Sequence, residues 1–199
     1  MENNALIIFA KFPDRGVKTR LKGFLSEQKR IILYEFLLSS TVKKLSSCDG
    51  VDVYLCFTPR EREDYFLKYG LRLFPQSDGD LGMKMFEAFR YVLNIGYQKA
   101  VLVGTDIPTL TQKIVMDSLY LMERDDVVFG PALDGGYYLI GMKKNYSDIF
   151  RGIKWSSPST LSESFTKAQE CGLKIGFVDA LSDIDTIEDL RKTGIQLDV

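Results

Sequence analysis

The sequence predicts an α/β protein, a three-layer sandwich in which a mostly parallel sheet lies between two layers of helices. Three observations predict it. Strand and helix signals alternate along the whole of the 199 residues, the pattern of repeated strand–helix–strand units. Strand candidates such as residues 5–10 (ALIIFA) are short and wholly apolar, as suits strands covered on both faces. The segments that follow the strands are polar, glycine-bearing or both, and in open α/β sheets ligands bind beyond the carboxyl ends of the strands.

In chain order, the strand at 5–10 is followed by a helix with Ser26 as N-cap and Ile31, Tyr34, Leu38, Val42 and Leu45 at spacings of three and four. Val51, Val53, Leu55 and Phe57 alternate with Asp52, Tyr54 and Cys56, which is strand periodicity, and 71–74 is another short strand. A second helix carries Leu81, Met85, Phe89 and Val92 on one side, and 100–103 is a buried strand ending at Gly104. Thr111 is placed to cap a helix bearing Ile114, Val115, Leu119 and Met122. Residues 127–129 and 138–140 are strands flanking the segment 130–136. Pro158 suits the first turn of a helix running to Gly172, 175–178 is a strand, and 186–192 is a short helix before Gly194. No linker, internal repeat or low-complexity tract interrupts the pattern, so residues 1–199 read as a single domain.

Composition removes several kinds of chemistry. There is no histidine, which excludes a Ser-His-Asp or Cys-His engine, a histidine general base and a histidine-ligated zinc. Cys48, Cys56 and Cys171 have no CxxC spacing and read as reduced thiols. The formal net charge of −1 offers no global attraction for nucleic acid or an anionic membrane, so an anionic ligand must be met by a local patch. No apolar run reaches the ~20 residues that span a bilayer, and Met1-Glu2-Asn3-Asn4 is acidic where a secretion signal is basic. The expectation is a cytoplasmic protein with no membrane span and no nucleic-acid partner.

Between Lys11 and Lys22 the first loop holds Lys11, Arg15, Lys18, Arg20 and Lys22 against the single acid Asp14. It is either a phosphate-binding patch or a solvated basic loop. It is not a P-loop, because Val17 precedes Lys18 where that motif needs glycine, and no GxGxxG follows a strand. Asp106 leaves a buried strand and is either a turn former or an oxygen ligand for Mg²⁺ or Mn²⁺. Asp185 is the natural second carboxylate, although Thr186 with Asp189 also makes a helix cap there. The string Asp134-Gly135-Gly136-Tyr137-Tyr138 is either a glycine-rich hairpin turn or a close backbone approach to a ligand beside aromatic rings. Trp155, the only tryptophan, is core or cleft wall.

Together the strings IFAKFPDRGVKTRL, GDLGMKMFEAF, LVGTDIPTL, GPALDGGYYLIGM, IKWSSPSTL and DIDTIEDL resemble the GT-A-like nucleotide-diphospho-sugar transferase superfamily, and within it the small bacterial DUF2064 group of glycosyltransferases. The resemblance implies a GT-A-type Rossmann-like sandwich. It implies that Lys11, Gly16, Lys18 and Arg20 lie in the nucleotide–phosphate loop, and that Gln76, Asp80, Leu81 and Gly82 lie near the base. Asp106 and Asp185 stand where the metal ligands fall, and Asp134, Gly135 and Gly136 border the sugar or acceptor, with Tyr137 and Trp155 beside them. Two departures stand out. The first loop has one glycine where nucleotidyltransferases have a glycine-rich stretch, and Gly104 replaces the first aspartate of a DxD triplet.

The reading that follows is transfer of a sugar from a nucleotide-diphosphate donor to a small acceptor. A divalent metal and Lys18/Arg20 would neutralise the leaving diphosphate, with Asp106 and Asp134 as the catalytic carboxylates and Asp134 positioning or deprotonating the acceptor. The alternatives are nucleotidyl transfer from an NTP to a phosphorylated small molecule, and a non-catalytic nucleotide-binding module.

Overall fold

The computed structural model describes residues 3–195, so the charge reading of Met1 and Glu2 lies outside the described residues. Seven strands form one sheet: β1 (Asn4–Lys11), β2 (Val51–Thr58), β3 (Arg72–Pro75), β4 (Lys99–Val103), β5 (Val127–Pro131), β6 (Tyr137–Met142) and β7 (Ile175–Phe177). Their order is β3-β2-β1-β4-β6-β5-β7. All neighbours pair parallel except β6, which runs antiparallel to both β4 and β5. The α/β sandwich with a mostly parallel sheet is therefore present.

The helices are α1 (Glu27–Leu45), α2 (Glu63–Phe66), α3 (Leu81–Asn94), α4 (Gln112–Leu121), α5 (Thr160–Glu170) and α6 (Ile187–Thr193). Alternation along β1 explains the two helical layers. Leu6, Ile8 and Ala10 join a core with Tyr34, Leu38 and Val42 of α1 and Val115 and Leu119 of α4. Ala5 and Ile7 join the opposite core with Met85, Phe89 and Val92 of α3 and Ala168 of α5. Each of the Leu, Ile, Val, Met and Phe side chains among them contributes about 1.5–3 kcal/mol when fully buried, so a strand that is apolar at every position pays its way only between two helical layers.

Local signals act where they were read. Ser26 Oγ accepts from Lys29 N at 3.2 Å. Thr186 and Asp189 form a reciprocal capping box at the start of α6. Two boundaries differ. Pro158 lies outside α5, whose N-cap is Ser159, and Thr111 caps α4 by position without a side-chain hydrogen bond. The short α2 was not anticipated; four residues are too few for periodicity to register, and it is held by Phe66, fully buried against Phe57.

A third, smaller core decides where the site forms. Leu21 from the first loop packs with Leu33 and Leu37 of α1 and with Ile184, Ile187 and Leu190 around α6. It clamps the first loop against the segment carrying Asp183 and Asp185, residues far apart in sequence.

Candidate functional site

The first loop is fixed from within before it reaches the cleft. Gly16 N donates to Asp14 Oδ1 at 2.7 Å, an Asx turn. Arg30 of α1, only 4% exposed, donates through Nη1 to the carbonyls of Val17 (2.6 Å) and Arg15 (3.3 Å). Lys18 then adopts a left-handed backbone at φ 48°, uncommon for a residue with a Cβ. Its side chain is 3% exposed, with Nζ 2.8 Å from Asp106 Oδ1 and 3.6 Å from Asp185 Oδ1. The same ammonium donates to the Ile184 carbonyl at 2.7 Å. Arg20, half exposed, pairs through Nη1 with Asp185 and lies 4.0 Å from Asp134 Oδ2.

These contacts gather four carboxylates into one corner. Asp106 follows β4, and its carbonyl accepts from Ile184 N at 3.1 Å, which draws the 183–185 segment alongside. Carboxylate oxygens of Asp134, Asp183 and Asp185 all lie within 4.8 Å of one another. Burial raises the pKa of Asp183 to about 6, helped by the charges of Asp185 and Asp134. Asp106 Oδ1 is buried without a hydrogen bond, and its contact is the Lys18 ammonium. An oxygen-only, multiply anionic corner is a donor set that suits Mg²⁺ or Mn²⁺. Asp134, Asp183 and Asp185 could hold such an ion as a group, whereas Asp106 and Asp185 are bridged by Lys18.

Two cavities meet at this corner. The larger, about 510 Å³, opens beyond the carboxyl ends of β1 and β4; the smaller, about 260 Å³, lies toward Asp134 and Trp155. Arg20, Asp106, Asp185 and Tyr137 line both.

The expected residues sort unevenly. Lys11, Gly16, Lys18, Arg20, Gln76 and Leu81 line the larger cavity. Asp134, Gly136, Tyr137 and Trp155 line the smaller one. Asp80, Gly82 and Gly135 line neither, and each has a local reason for its identity. Asp80 is the N-cap of α3, accepting from Met83 N at 2.8 Å. A Cβ on Gly82 would come within 2.5 Å of Trp155 Cζ2, so the missing side chain seats the indole. Gly135 has φ 91°, and a Cβ there would lie 2.1 Å from the Pro158 carbonyl oxygen. Asp134 Oδ1 accepts from Gly136 N at 2.8 Å, so the hairpin turn and the cavity wall are the same structure.

Three residues of the site were not read from sequence. Asp183 is one, although Asp183-Ile184-Asp185 carried the signal, since residues two apart on an extended segment share a face. Lys84 of α3 lines the larger cavity, and no signal separated it from the other lysines. Arg30 acts only by bonding to carbonyls, which sequence does not reveal.

Comparison with known proteins places the fold and the kind of enzyme. The family model DUF2064, described as an uncharacterized protein conserved in bacteria, matches residues 41–157, more than half of the chain. A 2-phospho-L-lactate guanylyltransferase of Methanocaldococcus jannaschii is 28% identical over 92% of this chain and 80% of its own. The crystal structure of a candidate nucleotide-diphospho-sugar transferase from Desulfovibrio desulfuricans is 29% identical, with a TM-score of 0.91 over 97% of this chain and 87% of that one. A Mycobacterium tuberculosis protein solved as a manganese complex shares the fold at 10% identity, with a TM-score of 0.60 over 96% and 97% of the two chains.

Proposed function

The chain belongs to the DUF2064 family, and from that premise we propose that it is a nucleotidyltransferase, joining a nucleoside triphosphate to a small phosphorylated acceptor with release of pyrophosphate. The broader type, nucleotidyltransferase or nucleotide-diphospho-sugar transferase, is supported by the guanylyltransferase and the Desulfovibrio protein alike. The narrower reading is supported by the guanylyltransferase relative, and group transfer itself by the junction of two cavities at Arg20, Asp106 and Asp185. A group-transfer enzyme needs two substrates to meet where charge is controlled, and here the meeting point is the acidic corner.

On this reading the larger cavity holds the nucleotide and the smaller one the acceptor. Asp134, Asp183 and Asp185, with Asp106, would hold Mg²⁺ or Mn²⁺, which when bound would neutralise charge on the transferring and leaving phosphates. Arg20 faces both substrates and stabilises the negative charge that develops between them. Lys18 fixes the carboxylates of Asp106 and Asp185 in register. Trp155 and Tyr137 wall the acceptor side and keep water from competing as the attacking group. The chain acts as one domain in the cytoplasm, where nucleoside triphosphates are supplied. No helix among the described residues is long and apolar enough to cross a membrane.

A second reading, transfer of a sugar from a nucleotide-diphosphate donor, is favoured by the first loop. It carries the lone glycine Gly16 where a triphosphate cradle is glycine-rich. Here Asp134, on the acceptor side and turned toward Arg20, would position or deprotonate the acceptor hydroxyl.

The two are separated by their products. The four NTPs with small phosphorylated acids, and a panel of NDP-sugars with polyols, are each incubated with Mn²⁺ while pyrophosphate and NDP release are followed. Pyrophosphate from an NTP together with a phosphorylated acid, and no NDP from the sugar donors, is the expected result. NDP released only from the sugar donors replaces the first reading with the second, and no nucleotide response in either arm removes both.

A further inference from the structure

Four cations line the larger cavity: Lys11, Lys18, Arg20 and Lys84. Two of them are already committed to carboxylates, Lys18 to Asp106 and Asp185, and Arg20 to Asp185. Among the described residues the corner they serve holds four aspartates against two cations, so until a divalent cation is bound its own charge opposes an incoming phosphate chain. Lys84 is different. It is half-buried on α3, and no acid among the described residues pairs with it. It lines the larger cavity and also the adjoining cleft of about 850 Å³ along β3 and α3, so it stands where the two open into each other.

Its neighbour Gln76 is shared by the same two spaces, but the Gln76 amide nitrogen is taken up by the carbonyls of Ala10 and Cys56, each at 3.2 Å. Gln76 thus offers an acceptor to a ligand, and Lys84 supplies the donors on that wall. A partly desolvated ammonium with no counter-ion among the described residues costs stability that an anionic ligand would recover.

Resting on the nucleotide reading above, we propose that Lys84, with the exposed Lys11 that lines the same cavity, receives the phosphate chain of the nucleoside triphosphate, and that Lys18 and Arg20 of the first loop belong instead to the acidic corner. Lys84 is then the residue through which the site senses the number of phosphates. A lysine suits this task, since its compact charge and rotatable donors follow a chain that changes shape as pyrophosphate leaves.

The test is a calorimetric titration of guanosine, GMP, GDP and GTP, and of the cytidine series, into wild type, Lys84→Gln and Lys84→Arg at fixed Mg²⁺ and two salt concentrations. Lys84→Gln is expected to weaken triphosphate binding about ten-fold, the scale of one charge-assisted hydrogen bond, with less effect at each phosphate removed and none on the nucleoside. Its salt dependence flattens, and Lys84→Arg restores most of the affinity. Unchanged GTP and CTP binding by Lys84→Gln overturns the proposal, as does an equal loss for nucleoside and triphosphate, which marks a packing role. If wild type binds none of these ligands, nor ATP or UTP titrated in the same way, the nucleotide reading itself falls, a result distinct from a wild type that binds and a variant that matches it.

Discussion

Lys18 and Lys84 line the same cavity, yet their surroundings differ in almost every respect. Lys18 has a side chain 3% exposed, a left-handed backbone, two carboxylates and a carbonyl around its nitrogen, and a loop pinned by Arg30 behind it. Lys84 sits on a regular helix, half-buried, with no acid paired to it among the described residues. The difference teaches that a basic residue in a cleft is available to a ligand only to the extent that the protein has not already used it. The basic first loop suggests a phosphate patch, and the fold instead turns its two best placed cations into counter-ions for an acidic corner. Lys84, lining the same cavity from α3, stays uncommitted to any acid among the described residues.

The strongest way to break the contrast is Asp106→Ala. Transfer is expected to fall by about a thousand-fold or more, and metal-dependent nucleotide binding to disappear, because the corner loses the carboxylate that leaves β4. Stability should drop by only about 1 kcal/mol, since the Asp106 side chain is 42% exposed and Lys18 keeps Asp185 and the Ile184 carbonyl. Normal nucleotide and Mn²⁺ binding by the folded variant would remove Asp106 from the site.

Lys18→Met sharpens the same comparison with a smaller effect of opposite sign. Removing a positive charge 2.8 Å and 3.6 Å from two carboxylates raises the corner's affinity for a divalent cation, about ten-fold on electrostatic grounds. Turnover falls, because the carboxylates lose their register. Mn²⁺ titration followed by electron paramagnetic resonance reads the first effect directly, and an affinity that falls would mean that Lys18 organises the site more than it competes for it.

The layers of the fold were legible because burial imposes periodicity. The apolar runs of β1 and β4 and the three-and-four spacing of α1 and α3 follow from having a core on each side. The carboxyl-end loops were legible for a similar reason, since polar residues cluster where the strands stop. What each loop residue does was harder to read. The resemblance puts Gly82 near the base, and the paired glycine Gly135 reads as a close approach to a ligand; in space they make room for Trp155 and Pro158. Asp80 looks like a base contact and is a helix cap. In each case the deciding partner lies far along the chain or in the backbone, where spacing carries no information. Asp183 was missed for another reason. Its neighbour Asp185 took the role, and the burial that chiefly raises its pKa, with the crowding by Asp185 and Asp134 that adds to it, exists only in the folded chain.

That crowding gives the smallest of the expected effects. Without divalent ions, Asp183 holds its proton to about pH 6, against 3.8 for the ordinary carboxyl, with burial as the first cause. The folded state therefore binds more protons than the unfolded state between these values. This contribution to stability is fully present below pH 3.8 and is lost as pH rises through 6. Because the residue is only half-buried, the effect is about 1 kcal/mol after solvent screening rather than the full shift. Asp183→Asn keeps the shape and removes the titration, so its denaturation midpoint should exceed wild type above pH 6 and converge with it near pH 4. The basic wall offers no such group, and Lys84→Gln should leave this part of the pH profile unchanged. If Asp183→Asn tracks wild type across the whole range, Asp183 is neither buried nor crowded by Asp185 and Asp134 in solution as it is here, and that part of the acidic corner assembles only when a cation draws it together.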